Sequence, residues 1–357
     1  MPTSKRHSLG EKERAVIETA RFFEPYKREL HGLFIALGRE HKWSDNPRDM
    51  LLYLREKWIG QEHGNSASKD QFSDEQIAAA QPWLKALGLT TAQVPSRNSH
   101  FDQAIIVGGT MLSNYRRVEF VHDIMDSGVQ IDKLIFWVGH RPRERRDGTI
   151  AELLSTRGRF AGLAVRGNAW VKDLVVRGTN RLRRRVRLNE TDLGRFALLK
   201  VLDNKMMPYR IDLSILNERH RRADLLDKVE SLPKRYVKDY YLKTDDGLEI
   251  VLLNGSPVSR GVGANGKPRP ARHTTASCTV EWLERHAPAQ NARVLYITGN
   301  PHTLRTAQDT YVKIKELGRD DIRLTIAGTA PNDTVTIQTY LGEIARLIDN
   351  DVRRNYE

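Results

Sequence analysis

Apolar positions fall in two textures along the chain. Over residues 1 to 98 they recur at three- and four-residue steps, in EKERAVIETARFFEPYKRELHGLFIALGREH and again in NPRDMLLYLREKWIG, the spacing that gives a helix one apolar stripe. SDEQIAAAQPWLKALGL carries its own start signal: Ser73 stands at the cap position and Gln76 three residues on, the pattern of a capping box. The polar stretch QEHGNSASKDQ reads as a linker between helices. Strand patterns are absent from this part, so residues 1–98 are expected to be an all-helical region.

Beyond it the texture changes. QAIIVGG, DKLIFWVG, LEIVLLNG, RVLYITG and IRLTIAG are short, almost continuously apolar runs closed by glycine, as expected of parallel strands buried on both faces. Helical stretches follow in turn: NYRRVEFVHDIMDSG, ETDLGRFALLKVL, TASCTVEWLERHA, HTLRTAQDTYVKIKELG and DTVTIQTYLGEIARLIDNDV. This alternation predicts an α/β domain over residues 99–357, a Rossmann-like, doubly wound, mostly parallel sheet. The stretch 141–189 breaks the alternation and reads as an inserted segment, with some two-residue periodicity of its own.

Charge adds one feature. The chain of 357 residues has a formal net charge of +13, and it is concentrated: residues 141–187 hold fourteen Lys and Arg against four acids, a local net of +10. Such a segment makes a local positive field and is one candidate surface for a nucleic acid. Aromatic residues to interleave with bases are sparse in it, Trp170 standing nearly alone. The lone cysteine, Cys278, excludes an internal disulfide and a cysteine-rich zinc site, in keeping with a reducing compartment. No apolar run is long enough for a membrane span, and the start MPTSKRHSLGEKER has no apolar core behind its basic residues, so a cytoplasmic protein is expected.

In an open parallel sheet, ligands collect outside the carboxyl ends of the strands, so the turns there are where chemistry is sought. In IIVGGTMLSNYRR, Gly108 and Gly109 permit close backbone approach, and Thr110, Ser113 and the first helical N–H groups offer donors to an anion, with Arg116 or Arg117 adding charge. The spacing matches neither a dinucleotide fingerprint nor a Walker loop. His140 and Arg141 leave the second strand, and Glu190 heads a helical run as a candidate base or metal ligand. In ITGNPHTLRTA, Asn300 and Pro301 suit the cap and first position of a helix. His302 and Arg305, three residues apart, share a face near that helix start, where one would move a proton and the other grip a phosphate or carboxylate. The long glycine- and proline-rich connection 255–278 is a candidate lid that enters the next helix through His273, Thr274 and Thr275.

The order of these motifs resembles the bacterial YdcF/SanA/ElyC-like family, the domain of unknown function numbered 218, over residues about 102–330. The matching features are IIVGGT with Arg116 or Arg117, LIFWVGH, Glu190 in NETD, Thr274 or Thr275 in RHTTAS, and His302, Arg305 and Ala307 in ITGNPHTLRTA. His273 stands where the family has Asn before Thr, and the helical region and basic insertion lie outside the common pattern. The resemblance implies a Rossmann-like fold with one polar pocket.

Three functions fit these residues. The leading one is an enzyme that hydrolyses or transfers a group on a phosphorylated or nucleotide-like small molecule. In it Gly108, Gly109, Thr110, Arg116, His140, Arg141, Thr274 and Asn300 surround the anion, Arg305 clamps it, and His302 and Glu190 handle protons. S-adenosylmethionine, another nucleotide and Mg²⁺ stay open as cofactors. The second is nucleic-acid binding through 141–187, and the third an effector or adaptor that engages a protein partner through its N-terminal helices.

Overall fold

Among the described residues, the elements before residue 97 are helical, and strands enter from residue 100 onward. A computed structural model describes residues 21–59, 71–139, 193–194, 197–198, 201–202, 209–211, 239–255, 273–331 and 335–356. In chain order its elements are α1 (Phe23–Ala36), a 3-10 turn (Glu40–Lys42), α2 (Pro47–Leu54) running into a π-helical turn (Arg55–Ile59), α3 (Asp74–Ala86), β1 (His100–Phe101), β2 (Gln103–Val107), α4 (Met111–Asp126), β3 (Gln130–Ile131) and β4 (Lys133–Gly139). There follow β5 (Tyr209–Ile211), β6 (Tyr240–Thr244), β7 (Glu249–Gly255), α5 (Thr275–His286), β8 (Arg293–Gly299), α6 (Thr303–Glu316), β9 (Arg323–Thr329) and α7 (Ile337–Asn355). The described part of 193–202 is helical and buried at Leu193, Ala197, Leu198, Val201 and Leu202.

The protein is α/β with a mostly parallel sheet. The main sheet has the order β5-β6-β7-β4-β2-β8-β9, and β1 pairs with β3 in a separate parallel pair. β2 pairs in parallel with β4 on one side and β8 on the other, and β4 pairs in parallel with β7. The five apolar runs of the sequence are β2, β4, β7, β8 and β9. Two further strands extend the sheet in the antiparallel sense, β6 against β7 and β5 against β6. Their segments, YRI and YYLKT, lack the glycine-closed apolar signature. β6 is joined to β7 by a tight turn in which Gly247 takes φ +98°, a conformation that glycine adopts without strain.

Two compact units divide the chain: residues 1–96 with 298–316 and 325–357, and residues 97–297 with 317–324. In the second unit the strand cores Ile105, Ile135, Phe136, Leu252, Leu295 and Ile297 are fully or almost fully buried. The buried exception in β2, Gln103, is satisfied at both ends of its amide. Its Nε2 donates to the His286 carbonyl at 3.1 Å and its Oε1 accepts from Trp282 Nε1 at 2.8 Å, which fastens α5 to the sheet. Trp137 lies between Trp282 and Tyr296 with ring centroids 6.2 and 5.8 Å away, a contact geometry that aromatic rings favour.

In the first unit the helical region does not stand by itself. α7 packs against α1, α2 and the π-helical turn. Its Asp351 Oδ2 accepts from the backbone N–H groups of Phe22 and Phe23, at 2.8 and 2.7 Å, and so caps α1 from more than 300 residues away. Asp349 Oδ1 accepts from Arg55 Nε at 2.8 Å. The capping box of α3 forms as its sequence predicts, with Ser73 and Gln76 bonded reciprocally. Gln76 Nε2 also donates to the Leu37 carbonyl at 3.0 Å, tying the start of α3 to the end of α1.

Candidate functional site

β8 ends at Gly299, and the chain turns through a cis Asn300–Pro301 bond before α6 begins at Thr303. His302 is the turn's last residue: its N–H donates to the Gly299 carbonyl at 3.0 Å and its carbonyl accepts the first helical bond, from Thr306 N–H at 3.0 Å. The expected cap role of Asn300 is corrected here. Its side-chain Nδ2 donates to the carbonyls of Gly88 (3.3 Å) and Thr91 (2.5 Å), so the amide fastens the segment after α3 instead of facing an anion at the helix start.

His302 and Arg305 do share a face, and what they share it with is a carboxylate. Glu343, in the middle of α7, has no exposed side-chain surface. Arg305 holds it from two directions, Nε to Oε2 at 2.7 Å and Nη2 to Oε1 at 3.3 Å. His302 Nδ1 lies 3.0 Å from Oε1, and Arg346 Nη1 reaches the same oxygen at 3.4 Å. Burial alone pushes the Glu343 carboxyl up, but the Arg305 guanidinium and His302 outweigh it and hold the group well below the usual carboxylate range. Glu343 is therefore an anion at neutral pH. His302 keeps 35% of its side-chain surface exposed, against 20% for Arg305, so of these groups the imidazole is the most open to a solute.

Arg305 is committed elsewhere too, with Nη1 3.5 Å from Asp309 Oδ2. Its nitrogens thus face carboxylates of its own unit, a different arrangement from an anion clamp. Asp309 in turn accepts from Asn350 Nδ2 at 3.2 Å and Arg354 Nη2 at 3.1 Å. Burial raises its carboxyl, opposed by Arg305 and Arg354.

The other candidates lie in the second unit. There the glycine loop after β2 bonds to itself: the Gly109 N–H donates to Asn114 Oδ1 at 2.7 Å, and Thr110 Oγ1 accepts from Ser113 N–H as the cap of α4. Arg117, not Arg116, turns into this loop, buried, with Nη1 donating to the carbonyls of Val107 and Gly108. These contacts hold the loop together as a turn at the start of α4. Thr274 caps α5 in a reciprocal box with Ser277. His273, just before it, lies against two strand ends. A Cβ built on Gly139 would sit 1.6 Å from its Nδ1, and one on Gly255 would sit 3.1 Å from its Cβ, so glycine at both positions makes room for the residue. His140, Arg141, Glu190, the basic segment 141–187 and residues 256–272 of the expected lid lie outside the described residues.

Among the described residues, the His, Cys and carboxylate atoms that converge as metal ligands would are those of His122, Asp123 and Asp126 on α4. His122 Nδ1 lies 3.1 Å from Asp126 Oδ2, one helical turn on. No described helix is long and apolar enough to cross a membrane.

Sequence reasoning missed Glu343. Its signal was there: in TYLGEIARLI the glutamate falls on the apolar side of the helix, with Tyr340 three residues before and Leu347 four after, both buried. A charge on an apolar stripe marks a buried partner. No protein-family model matches the chain, and no curated protein or solved structure is similar to it.

Proposed function

We propose that this chain is an enzyme acting on a phosphorylated or nucleotide-like small molecule, with His302 as its proton-carrying group. The observation that carries the reading is the fully buried Glu343, which holds both the half-exposed His302 and Arg305 at the carboxyl end of β8. A histidine fixed by a buried carboxylate and open on its other side has the construction of a general base, able to take a proton from an attacking water or hydroxyl and return it to a leaving group. In this reading His302 is the catalytic residue, while Glu343 and Arg305 position it. The Rossmann-like, doubly wound reading of the fold and the kinship with the YdcF/SanA/ElyC-like family belong to the same proposal. Supporting them are the central place of β2, with β4 and β7 to one side and β8 and β9 to the other, and the position of His302 after a strand end.

The test is a thermal-shift panel of nucleotides, sugar phosphates and S-adenosylmethionine, with and without Mg²⁺, followed by turnover assays on the compounds that stabilise. At least one compound is expected to raise the melting temperature of the wild type. His302→Ala should keep most of that shift and lose about 10²- to 10⁴-fold in turnover, the usual contribution of a general base. A panel without any shift, or a His302→Ala variant that turns over at the wild-type rate, refutes the proposal.

A further inference from the structure

The start of α6 carries donors without acceptors. A helix begins with N–H groups that none of its own carbonyls can reach, so side chains, water or a ligand must take them up. The turn ahead of α6 is occupied with its own bonds, the His302 N–H on the Gly299 carbonyl and the His302 carbonyl under Thr306. The next two N–H groups, those of Thr303 and Leu304, meet no acceptor among the described residues. Asn300 does not cap them: its Nδ2 is held by the carbonyls of Gly88 and Thr91, and its Oδ1 takes no hydrogen bond.

Burial makes this arrangement costly. Neither Thr303 nor Leu304 has exposed surface. A buried N–H without a partner forfeits the hydrogen bond that water gave it in the unfolded chain, which is why such groups are rare in folded proteins. The Thr303 side chain adds a third donor of the same kind. Its Oγ1 is buried and makes no hydrogen bond, and because Thr303 is the first residue of α6, covalent geometry alone keeps that hydroxyl at the helix start. β9 approaches on this side through Gly328, where a Cβ would lie 2.7 Å from the hydroxyl oxygen, so any larger residue would crowd it.

Two N–H groups and a hydroxyl at the positive end of a fourteen-residue helix suit a single negative partner rich in acceptors. A phosphoryl group offers three oxygens for three donors, whereas a carboxylate offers two. His302, next in the chain, keeps 35% of its side chain exposed, so these donors stand beside a group that solvent reaches.

We infer that the start of α6 holds the phosphoryl group of the substrate, through the N–H groups of Thr303 and Leu304 and the Thr303 hydroxyl. The inference rests on the function proposed above in taking the phosphate to be the substrate's. Isothermal titration of the full chain with inorganic phosphate, and with acetate as the carboxylate control, tests it without turnover. Phosphate is expected to bind more tightly than acetate, and His302→Ala to leave phosphate binding in place. Thr303→Val should weaken phosphate by about tenfold or more, the worth of one hydrogen bond to a charged group. A compound that raises the melting temperature of the wild type should weaken by the same factor. Should Thr303→Val lose the wild-type circular-dichroism melt, Thr303→Ser against Thr303→Ala, which differ by the hydroxyl alone, carry the same comparison. The inference is overturned if phosphate does not bind, if acetate binds as tightly, or if removing the hydroxyl leaves phosphate affinity unchanged. It is equally overturned if the hydroxyl matters to phosphate and not to the stabilising compound, which would make this a site for the free ion. A His302→Ala variant with wild-type turnover and intact phosphate binding removes the histidine's catalytic role and leaves this site standing.

Discussion

A carboxylate without exposed surface is costly to fold around unless its charge is matched, and Glu343 is matched by Arg305, His302 and Arg346 together. Glu343→Gln keeps the shape and removes the charge, leaving Arg305 facing a neutral amide. The expected loss is about 3 kcal/mol in urea unfolding, in the range found when one partner of a buried pair is removed. The pH dependence has a definite sign. The folded-state pKa of Glu343 is depressed below its ordinary 4.5, so the unfolded chain binds its proton first on acidification. Its contribution is complete above about pH 4.5 and is lost as pH falls below that. Asp309, raised by burial, works in the opposite sense, and acidification favours its folded form. Asp321, held by Arg319 at about 2 from an ordinary 3.8, gives an acid loss between those two values. The stability curve of Glu343→Gln, followed by urea midpoints between pH 7 and pH 3, should therefore be flatter below pH 4.5 than that of the wild type. A parallel decline would show that Glu343 is not the group responsible.

Among the elements, α7 is the one that fastens the first unit. Its apolar residues Leu341, Ile344, Leu347 and Ile348 are fully buried, while Glu343, Asp349 and Asp351 place three carboxylates among them. Each carboxylate engages a different element, since Glu343 holds the start of α6, Asp349 takes Arg55 after α2, and Asp351 caps α1. Asp351→Ala would leave the Phe22 and Phe23 N–H groups buried without that acceptor. About 3 kcal/mol of destabilisation is expected, from about 1–3 kcal/mol per orphaned buried donor. Urea unfolding followed by tryptophan fluorescence measures it, and a change under about 1 kcal/mol would show that another group takes over the cap. The capping boxes of α3 and α5 act over four residues and were open to local reading in the first case, where Ser73 and Gln76 gave the start of α3 directly. The cap of α1 joins residues far apart in sequence and had no local signature.

For the molecule as a whole, these contacts bear on whether the helical region can be separated from the rest of the chain. Removing residues 1–96 would uncover the apolar face of α7 and take away the groups that meet Asp349 and Asp351. A chain of residues 97–357 is therefore expected to lose amide-exchange protection across Ile337–Asn355 and to aggregate on size exclusion. Full protection of α7 in that truncated chain would show that the helices are dispensable. Hydrophobic periodicity by itself determined the α/β class, the helices described before residue 97 and the five apolar strands, because burial on both faces of a strand and on one stripe of a helix writes itself into neighbouring positions. It also brought His302 and Arg305 to one helix face, since three residues span most of a turn. Only the tertiary structure decided what that face meets. Glu343 lies 38 residues beyond Arg305, and Asn300 finds its partners more than 200 residues back. The antiparallel edge of β5 and β6 was also a tertiary decision, since β6 owes its place to pairing with β7 and β5 to pairing with β6. Charge pairing and edge pairing act through space between segments whose sequence separation carries no period, so nothing in the local pattern marks them in advance.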